Sequence, residues 1–302
     1  VQKISEYISK KVADKLSGMC KTDKENYEKY WDDISPFIKF GCLKDEKFCE
    51  KMSDYVLFKN LDHKYMTLKE CIEKNGGKAE PEEKTEGENA EQSAEKKETE
   101  KTTIYYVTDE KQQSQYINMF KAAKMDAVML TDRIDQPFIS QLEAKNEGIH
   151  FARIDADLTD AFKTKTSKKT QEELNAQAEK VEKLVQKALK NDKIKVKIEK
   201  LKNKKVSSVL TVSEESRRMQ DMMKMYGGGM DMSMFGAEGE TLVLNANHPL
   251  VTYITEHEDD ANTKMICEQL YDLAKLQNAP LSPEAMTKFV ARSNDIMLLL
   301  AK

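Results

Sequence analysis

The chain has 302 residues, of which 34% are charged and 39% hydrophobic, and carries a net charge of −4. Its length suits two domains or three, and its charge provides no global attraction to nucleic acid or to an anionic membrane. No apolar run approaches the roughly 18–20 residues that span a bilayer, and no secretory signal is expected from the opening residues.

The first residues, starting on Val1 rather than Met, already run in helical phase through Ile4, Tyr7, Ile8, Val12 and Leu16. No capping box precedes them, so the start is expected to be a cut from a longer protein. A second helix carries Tyr27, Tyr30, Trp31 and Ile34 and is expected to break at Ser35-Pro36. A third runs from near Glu46 to Phe58, a short fourth from near Thr67 to Glu73, and Asn75-Gly76-Gly77 closes a helical segment over 1–75. The five cysteines, Cys20, Cys42, Cys49, Cys71 and Cys267, are odd in number and form no CxxC. They read as free thiols of a reducing, cytoplasmic setting rather than as a zinc site.

Residues 76–102 change character. From 78 to 101 the apolar residues are three alanines, and nine Glu stand against five Lys, an excess equal to the net charge of the whole chain. Such a stretch buries too little surface to offset its ordering entropy and reads as a disordered, solvated spacer.

Order returns at Thr103. Ile104–Val107, Ala127–Leu130 and His150–Ile154 read as strands. One helix between them is capped by Thr108 or Asp109 and carries Gln115, Tyr116, Ile117 and Phe120; the other opens on Pro137 and carries Phe138, Ile139 and Leu142. This predicts a small βαβαβ unit of three αβα layers over 103–162. Its strand-to-helix turns, Thr108-Asp-Glu-Lys-Gln and Thr131-Asp-Arg-Ile-Asp, bring acids where a phosphate needs bare N–H groups, and no GxGxxG or GxxxxGK[ST] occurs. A nucleotide- or metabolite-binding enzyme built on this unit is therefore the weaker alternative. No nucleophile elbow or zincin motif appears, and His63, His150, His248 and His257 are scattered.

The remainder, 163–302, reads as an α+β domain. Leu174, Ala178, Val181, Val185 and Ala188 mark a helix, and Ile194, Val196 and Ile198 alternate with lysines as a strand with one wet face. Further strands are expected over Val206–Val212 and Thr241–Asn245. Between them fall seven of the chain's sixteen methionines. Met219, Met222, Met223 and Tyr226 form one helical stripe, Arg217, Arg218, Gln220, Asp221 and Lys224 cover the other face, and three glycines end the turn. Met225 lies within the same turns, and Met230, Met232, Met234 and Phe235 follow as an apolar hairpin. Thioethers suit Cu(I), but Asp231 and Ser233 as spacers and the lack of a nearby Cys or His favour partner binding. Methionine is flexible and polarizable, so a surface made of it remoulds around different partners.

His248 before Pro249 starts a helix. One closing helix begins near Ala261 with Ile266, Leu270, Leu273 and Leu276; the other, capped by Ser282-Pro283, carries Met286, Phe289, Val290, Ser293, Ile296, Met297 and Leu300. A lone pair of helices leaves this apolar surface wet; the same helices of a second chain are expected to bury it in an intermolecular four-helix bundle, the alternative being packing onto the chain's own strands. The fold class is thus mixed α+β and α/β. A purely structural dimeric scaffold is the other alternative.

Tyr27-Glu-Lys-Tyr-Trp-Asp-Asp-Ile34, Phe37-Ile-Lys-Phe-Gly-Cys42, Ile104-Tyr-Tyr-Val-Thr-Asp109, Leu130-Thr-Asp-Arg-Ile-Asp135 and Asn245-Ala-Asn-His-Pro-Leu250 resemble, in order, the ninety-kilodalton heat-shock chaperone family of the bacterial HtpG type. The resemblance implies the later middle domain followed by the C-terminal dimerisation domain, without the N-terminal ATPase domain. ATP and magnesium then belong to the full-length parent, and this segment supplies no catalytic residue, cofactor or metal site. It implies a cytoplasmic homodimer that binds unfolded or partly folded clients in protein folding and the stress response. By position, the family's client-binding element corresponds to Met219, Met222, Met223, Met225 and Tyr226, and a second client region to Gln136, Pro137, Phe138 and Ser140. Some members carry an acid and a tryptophan where this chain has Gln136 and Pro137. The dimer bundle corresponds to the closing helices. The end, Leu300-Ala-Lys302, lacks the acidic Met-Glu-Glu-Val-Asp tail, so no TPR co-chaperone is implied.

Overall fold

The computed structural model describes residues 2–75, 101–156, 158, 160–219 and 239–301. The Glu/Lys stretch at 76–100 and the methionine run from Met222 to Phe235 lie outside them. Two compact units result. The first comprises residues 1–109 and 125–153, and the second 110–124 and 154–302.

The first unit is built on a mixed sheet with strands β1 (Leu57–Asn60), β2 (Tyr65–Thr67), β3 (Thr102–Val107), β4 (Val128–Met129) and β5 (Ile149–Arg153), in the order β2-β1-β4-β3-β5. β3 is parallel to both β4 and β5, with Tyr106 opposite Val128 and Ile104 opposite Phe151, as expected of the βαβαβ pattern. The hairpin β1–β2 corrects the all-helical reading of 1–75. It extends the sheet antiparallel through the pairing of Lys59 with Met129. Its turn is set by Asn60, whose Oδ1 accepts from the N–H groups of Asp62 and Lys64 at 3.0 and 2.9 Å, and by His63 at φ 58°.

Helices α1 (Gln2–Thr22), α2 (Lys24–Lys44), α3 (Glu46–Met52), α4 (Leu68–Lys74) and α6 (Asp135–Lys145) complete this unit. α2 runs through Pro36 instead of breaking there. Proline removes one i→i−4 bond, but the helix buries Tyr27, Trp31, Ser35, Ile38, Lys39 and Cys42 along one face, and that burial outweighs the lost bond. Thr67 and Glu70 close a capping box at the start of α4. At the end of α2, a Cβ on Gly41 would stand 2.8 Å from the Phe48 ring, so only glycine lets α3 pack this closely.

The second unit contains α5 (Ser114–Ala122), α7 (Lys168–Leu189), α8 (Pro249–Glu256), α9 (Ala261–Leu276), α10 (Pro283–Leu300) and a sheet of β6 (Lys195–Glu199), β7 (Ser208–Val212) and β8 (Glu240–Asn245). α5 starts at Ser114 without a side-chain cap, later than the expected cap at Thr108 or Asp109. β8 is central, parallel to β6 and antiparallel to β7. The expected stripe Leu174, Ala178, Val181, Val185 and Ala188 is the buried face of α7, and β6 turns Val196 and Ile198 inward and Lys195 and Lys197 outward. These residues share one core with Leu210, Leu242, Leu244, Ile254, Cys267 and Leu270. His248 caps α8, accepting from the Leu250 N–H at 3.3 Å, and Ser282 caps α10, accepting from the Ala285 N–H at 3.3 Å.

No described helix is long and apolar enough to cross a membrane.

Candidate functional site

In the second unit, α10 carries a run of exposed apolar side chains. Of its eighteen residues only Arg292 is buried. Met286, Val290, Met297, Leu298, Leu299 and Leu300 are exposed, the last at 84%, and Phe289 and Ile296 are half-buried. From α9, Ile266, Leu273 and Leu276 are half-buried, while Leu270 packs inside this chain's own core. Each of these partly exposed Met, Val and Leu side chains forgoes a share of the about 1.5–3 kcal/mol that full burial provides.

Arg292 docks this helix. Its guanidinium donates to Gln269 Oε1 at 2.8 Å, to Glu268 Oε2 at 3.0 Å and to Asp272 Oδ2. Ser293 Oγ accepts from Gln269 Nε2 at 3.1 Å. Burial raises the Asp272 carboxyl above its ordinary range, although the Arg292 hydrogen bond and charge pull it down. α10 is therefore held to α9 by charge-assisted bonds on its inner side, while none of the described residues covers its apolar side.

Sequence reasoning missed Arg292, yet a signal was present: the residue falls three after Phe289 and four before Ile296, on the inward stripe. Arg217 is a second correction. Expected on the polar face of the methionine helix, it is instead buried, donating to Asp155 Oδ2 and Asn278 Oδ1, each at 3.1 Å. It anchors the helical residues 214–219, which begin where Ser213 Oγ accepts from the Ser216 N–H at 3.3 Å. Met219 then stands 55% exposed at the end of the described segment. Met222, Met223, Met225, Tyr226, Met230, Met234 and Phe235 lie outside the described residues.

The second expected client region is the start of α6 in the first unit. Phe138 is fully buried in the core, so no polypeptide reaches it in this conformation. Gln136 and Pro137 are half-buried and Ser140 is exposed. Gln136 Nε2 donates to Tyr106 Oη at 3.1 Å, and Ser140 Oγ donates to the Gln136 carbonyl at 3.0 Å.

The motifs that carried the resemblance are polar tie-points of the two units. Lys39 Nζ pairs with Asp135 Oδ1 at 2.5 Å, both side chains buried, so the segments 37–42 and 130–135 meet in one ion pair. Burial raises the Asp135 carboxyl, with the Lys39 charge and hydrogen bond acting against it. Asp135 Oδ2 also accepts from the Asp132 N–H at 2.9 Å, which puts a carboxylate at the start of α6. Tyr27 Oη donates to the Tyr55 carbonyl at 2.8 Å. Asn245, wholly buried, accepts from the N–H groups of Leu201 and Asn247 and donates to the carbonyls of Asn203 and Val206, at 2.7–3.0 Å. The five cysteines are free thiols. Burial pushes Cys42 and Cys71 up to about 12, where little reactive thiolate forms. Among the described residues no three His, Cys, Asp or Glu side chains converge as metal ligands would.

Comparison with known proteins fits these observations. The chain is 30% identical over 299 residues to a chaperone protein htpG of Bacteroides fragilis (strain 638R), covering 92% of this chain and 39% of that relative. It is 28% identical over 290 residues to the chaperone protein HtpG of Porphyromonas gingivalis (strain ATCC 33277), with 92% and 38% covered. Against the Bdellovibrio bacteriovorus HtpG the identity is 24% over 311 residues, with 100% and 45% covered. The chain thus spans about two fifths of the length of the first two relatives. A model of the family described as Hsp90 protein matches residues 1–301, and the chain belongs to that family.

Proposed function

We infer that this chain is the client-binding and homodimerisation segment of an ATP-dependent molecular chaperone of the HtpG kind, acting in protein folding and the stress response. The observation that carries the reading is the apolar face of α10, which no described residue covers, with Met286, Val290 and Met297 exposed on a helix whose only buried side chain is an arginine. Two copies of such a face cover each other in a four-helix bundle with α9. The family membership and the relatives' shared description as chaperones support the same reading. In it, clients are unfolded or partly folded polypeptides, met by the methionine stripe that starts at Met219, and by Gln136, Pro137 and Ser140. The segment itself is non-catalytic, and ATP and magnesium serve the full-length protein in the cytoplasm.

The test is holding of an aggregation-prone protein. Replacing Met219, Met222 and Met223 by Ser removes polarizable contact surface. The expected result is at least a severalfold loss of aggregation suppression with the dimer mass unchanged. Undiminished suppression by the triple variant would remove the client role from this segment.

A further inference from the structure

The second unit contains a cavity lined by no residue of α10. Its volume is about 700 Å³, within the ~300–1,000 Å³ usual for small-molecule sites. One wall is a face of α5, on which Ser114 and Asn118 are spaced i, i+4, as are Met119 and Ala123. Phe162 and the stretch from Leu201 to Val206 supply the rest, together with Gln277.

The walls are fixed independently of any occupant. Tyr116 Oη donates to the Leu210 carbonyl at 2.6 Å, and the Phe120 and Phe162 rings lie 5.1 Å apart. The Lys202 N–H donates to the Phe162 carbonyl at 2.9 Å, and Lys202 Nζ to the Ala161 carbonyl at 2.7 Å. The Asn245 side chain holds Leu201, Asn203 and Val206 in place. Ala122 and Ala123 are too small to fill the space that this frame leaves.

Three features define what the cavity suits. Met119, Ala123 and Phe162 offer an apolar bed. Gln277 lines the cavity, and its Oε1 is buried with no hydrogen-bond partner among the described residues. Such an acceptor is costly unless a donor reaches it. Lys124 and Lys202 stand among the lining residues and, among the described residues, no Asp or Glu does, so the lining favours an anion.

We propose that this cavity binds a small anionic amphiphile: an aromatic or branched apolar body with one N–H or O–H donor and one carboxylate- or sulfonate-type group. The donor meets Gln277 Oε1, the body lies on Met119, Ala123 and Phe162, and the lysines face the anion. The proposal stands apart from the chaperone reading and does not depend on it.

The probe 8-anilinonaphthalene-1-sulfonate carries all three parts. It is titrated into the full chain while the ¹³C-methyl signals of Met119 and Met297 are followed by NMR, the latter reporting on the α10 face. The expected result is a saturable displacement of the Met119 methyl at lower dye concentration than any change at Met297. Ala123→Trp should abolish it, Gln277→Leu should weaken it about tenfold, and Lys124→Met with Lys202→Met should weaken it severalfold at low salt. A Met119 methyl that stays fixed while dye binds elsewhere overturns the proposal, as does wild-type affinity in Ala123→Trp. Should Ala123→Trp fail to fold, the Met119 signal of the unsubstituted chain decides alone.

Discussion

Replacing Arg292 by Met is expected to loosen α10 from α9 while keeping the side chain's apolar length. The Arg292 side chain is 10% exposed, and its guanidinium serves Gln269, Glu268 and Asp272 at once. Its loss leaves Asp272, 13% exposed, beside Glu268, 26% exposed, with no cation between them. Breaking a buried pair costs about 3–5 kcal/mol, and the partial exposure of Glu268 puts this case near the lower end, at about 3 kcal/mol. In a domain of this size each kcal/mol moves Tm by about 2–4 °C, so the midpoint should fall by roughly 6–12 °C. The deficit also depends on pH. Burial already raises the Asp272 carboxyl above 3.8 in the folded chain, and without Arg292 it rises further. A carboxyl raised by folding adds stability below its unfolded value and loses it as pH climbs through the folded value. The deficit should therefore be largest at neutral pH and shrink as pH falls toward about 4. Differential scanning calorimetry of the wild type, Arg292→Met and Arg292→Met with Asp272→Asn measures both effects. A Tm within about 1 °C of wild type for Arg292→Met, or no recovery with Asp272→Asn, would show that Arg292 does not hold α10 to α9 in this way.

Lys39→Met should destabilise the first unit by about 3–5 kcal/mol, because it strands the 2%-exposed Asp135 side chain without its cation. Asp135 is already raised by burial, so the loss should grow as pH rises above the ordinary carboxyl range, which denaturant titrations at pH 5 and 8 would read as a larger deficit at pH 8. Asn245→Asp removes the donors that satisfy the Asn203 and Val206 carbonyls and adds a buried charge. It should cost about 2–4 kcal/mol in thermal unfolding, whereas Asn247→Asp, which loses the one bond to the Leu201 carbonyl, should cost less.

Which parts of the fold were legible follows from how each residue is paid for locally. The α7 stripe and the β6 alternation each repeat a period over several residues, and one face of each is buried. The parallel strands β3, β4 and β5 were readable because apolar runs alternate with helical patterns. The hairpin β1–β2 was not, because strands of four and three residues are too short to separate from a helical run. Pro36 misled for a different reason: a local breaking signal was overridden by the buried face of α2. The apolar side of α10 was visible in its spacing, but the cations beneath the surfaces were not. Arg217 reaches Asp155 and Lys39 reaches Asp135 across 62 and 96 positions of chain. No local pattern shows such pairs, so charged residues were placed in solvent. Phe138 failed in the opposite sense, since a motif position read as surface proved to be core.

The proposed dimer rests on the α10 face, and molar mass in solution reads it. Multi-angle light scattering of the unsubstituted chain should give twice the 34.7 kDa chain mass. Val290→Glu with Met297→Glu places charges on the exposed apolar side while leaving Arg292 and its partners intact, and should bring the mass to 34.7 kDa without loss of helical signal. A monomeric mass for the unsubstituted chain, or a doubled mass that survives both substitutions, would contradict the proposed bundle.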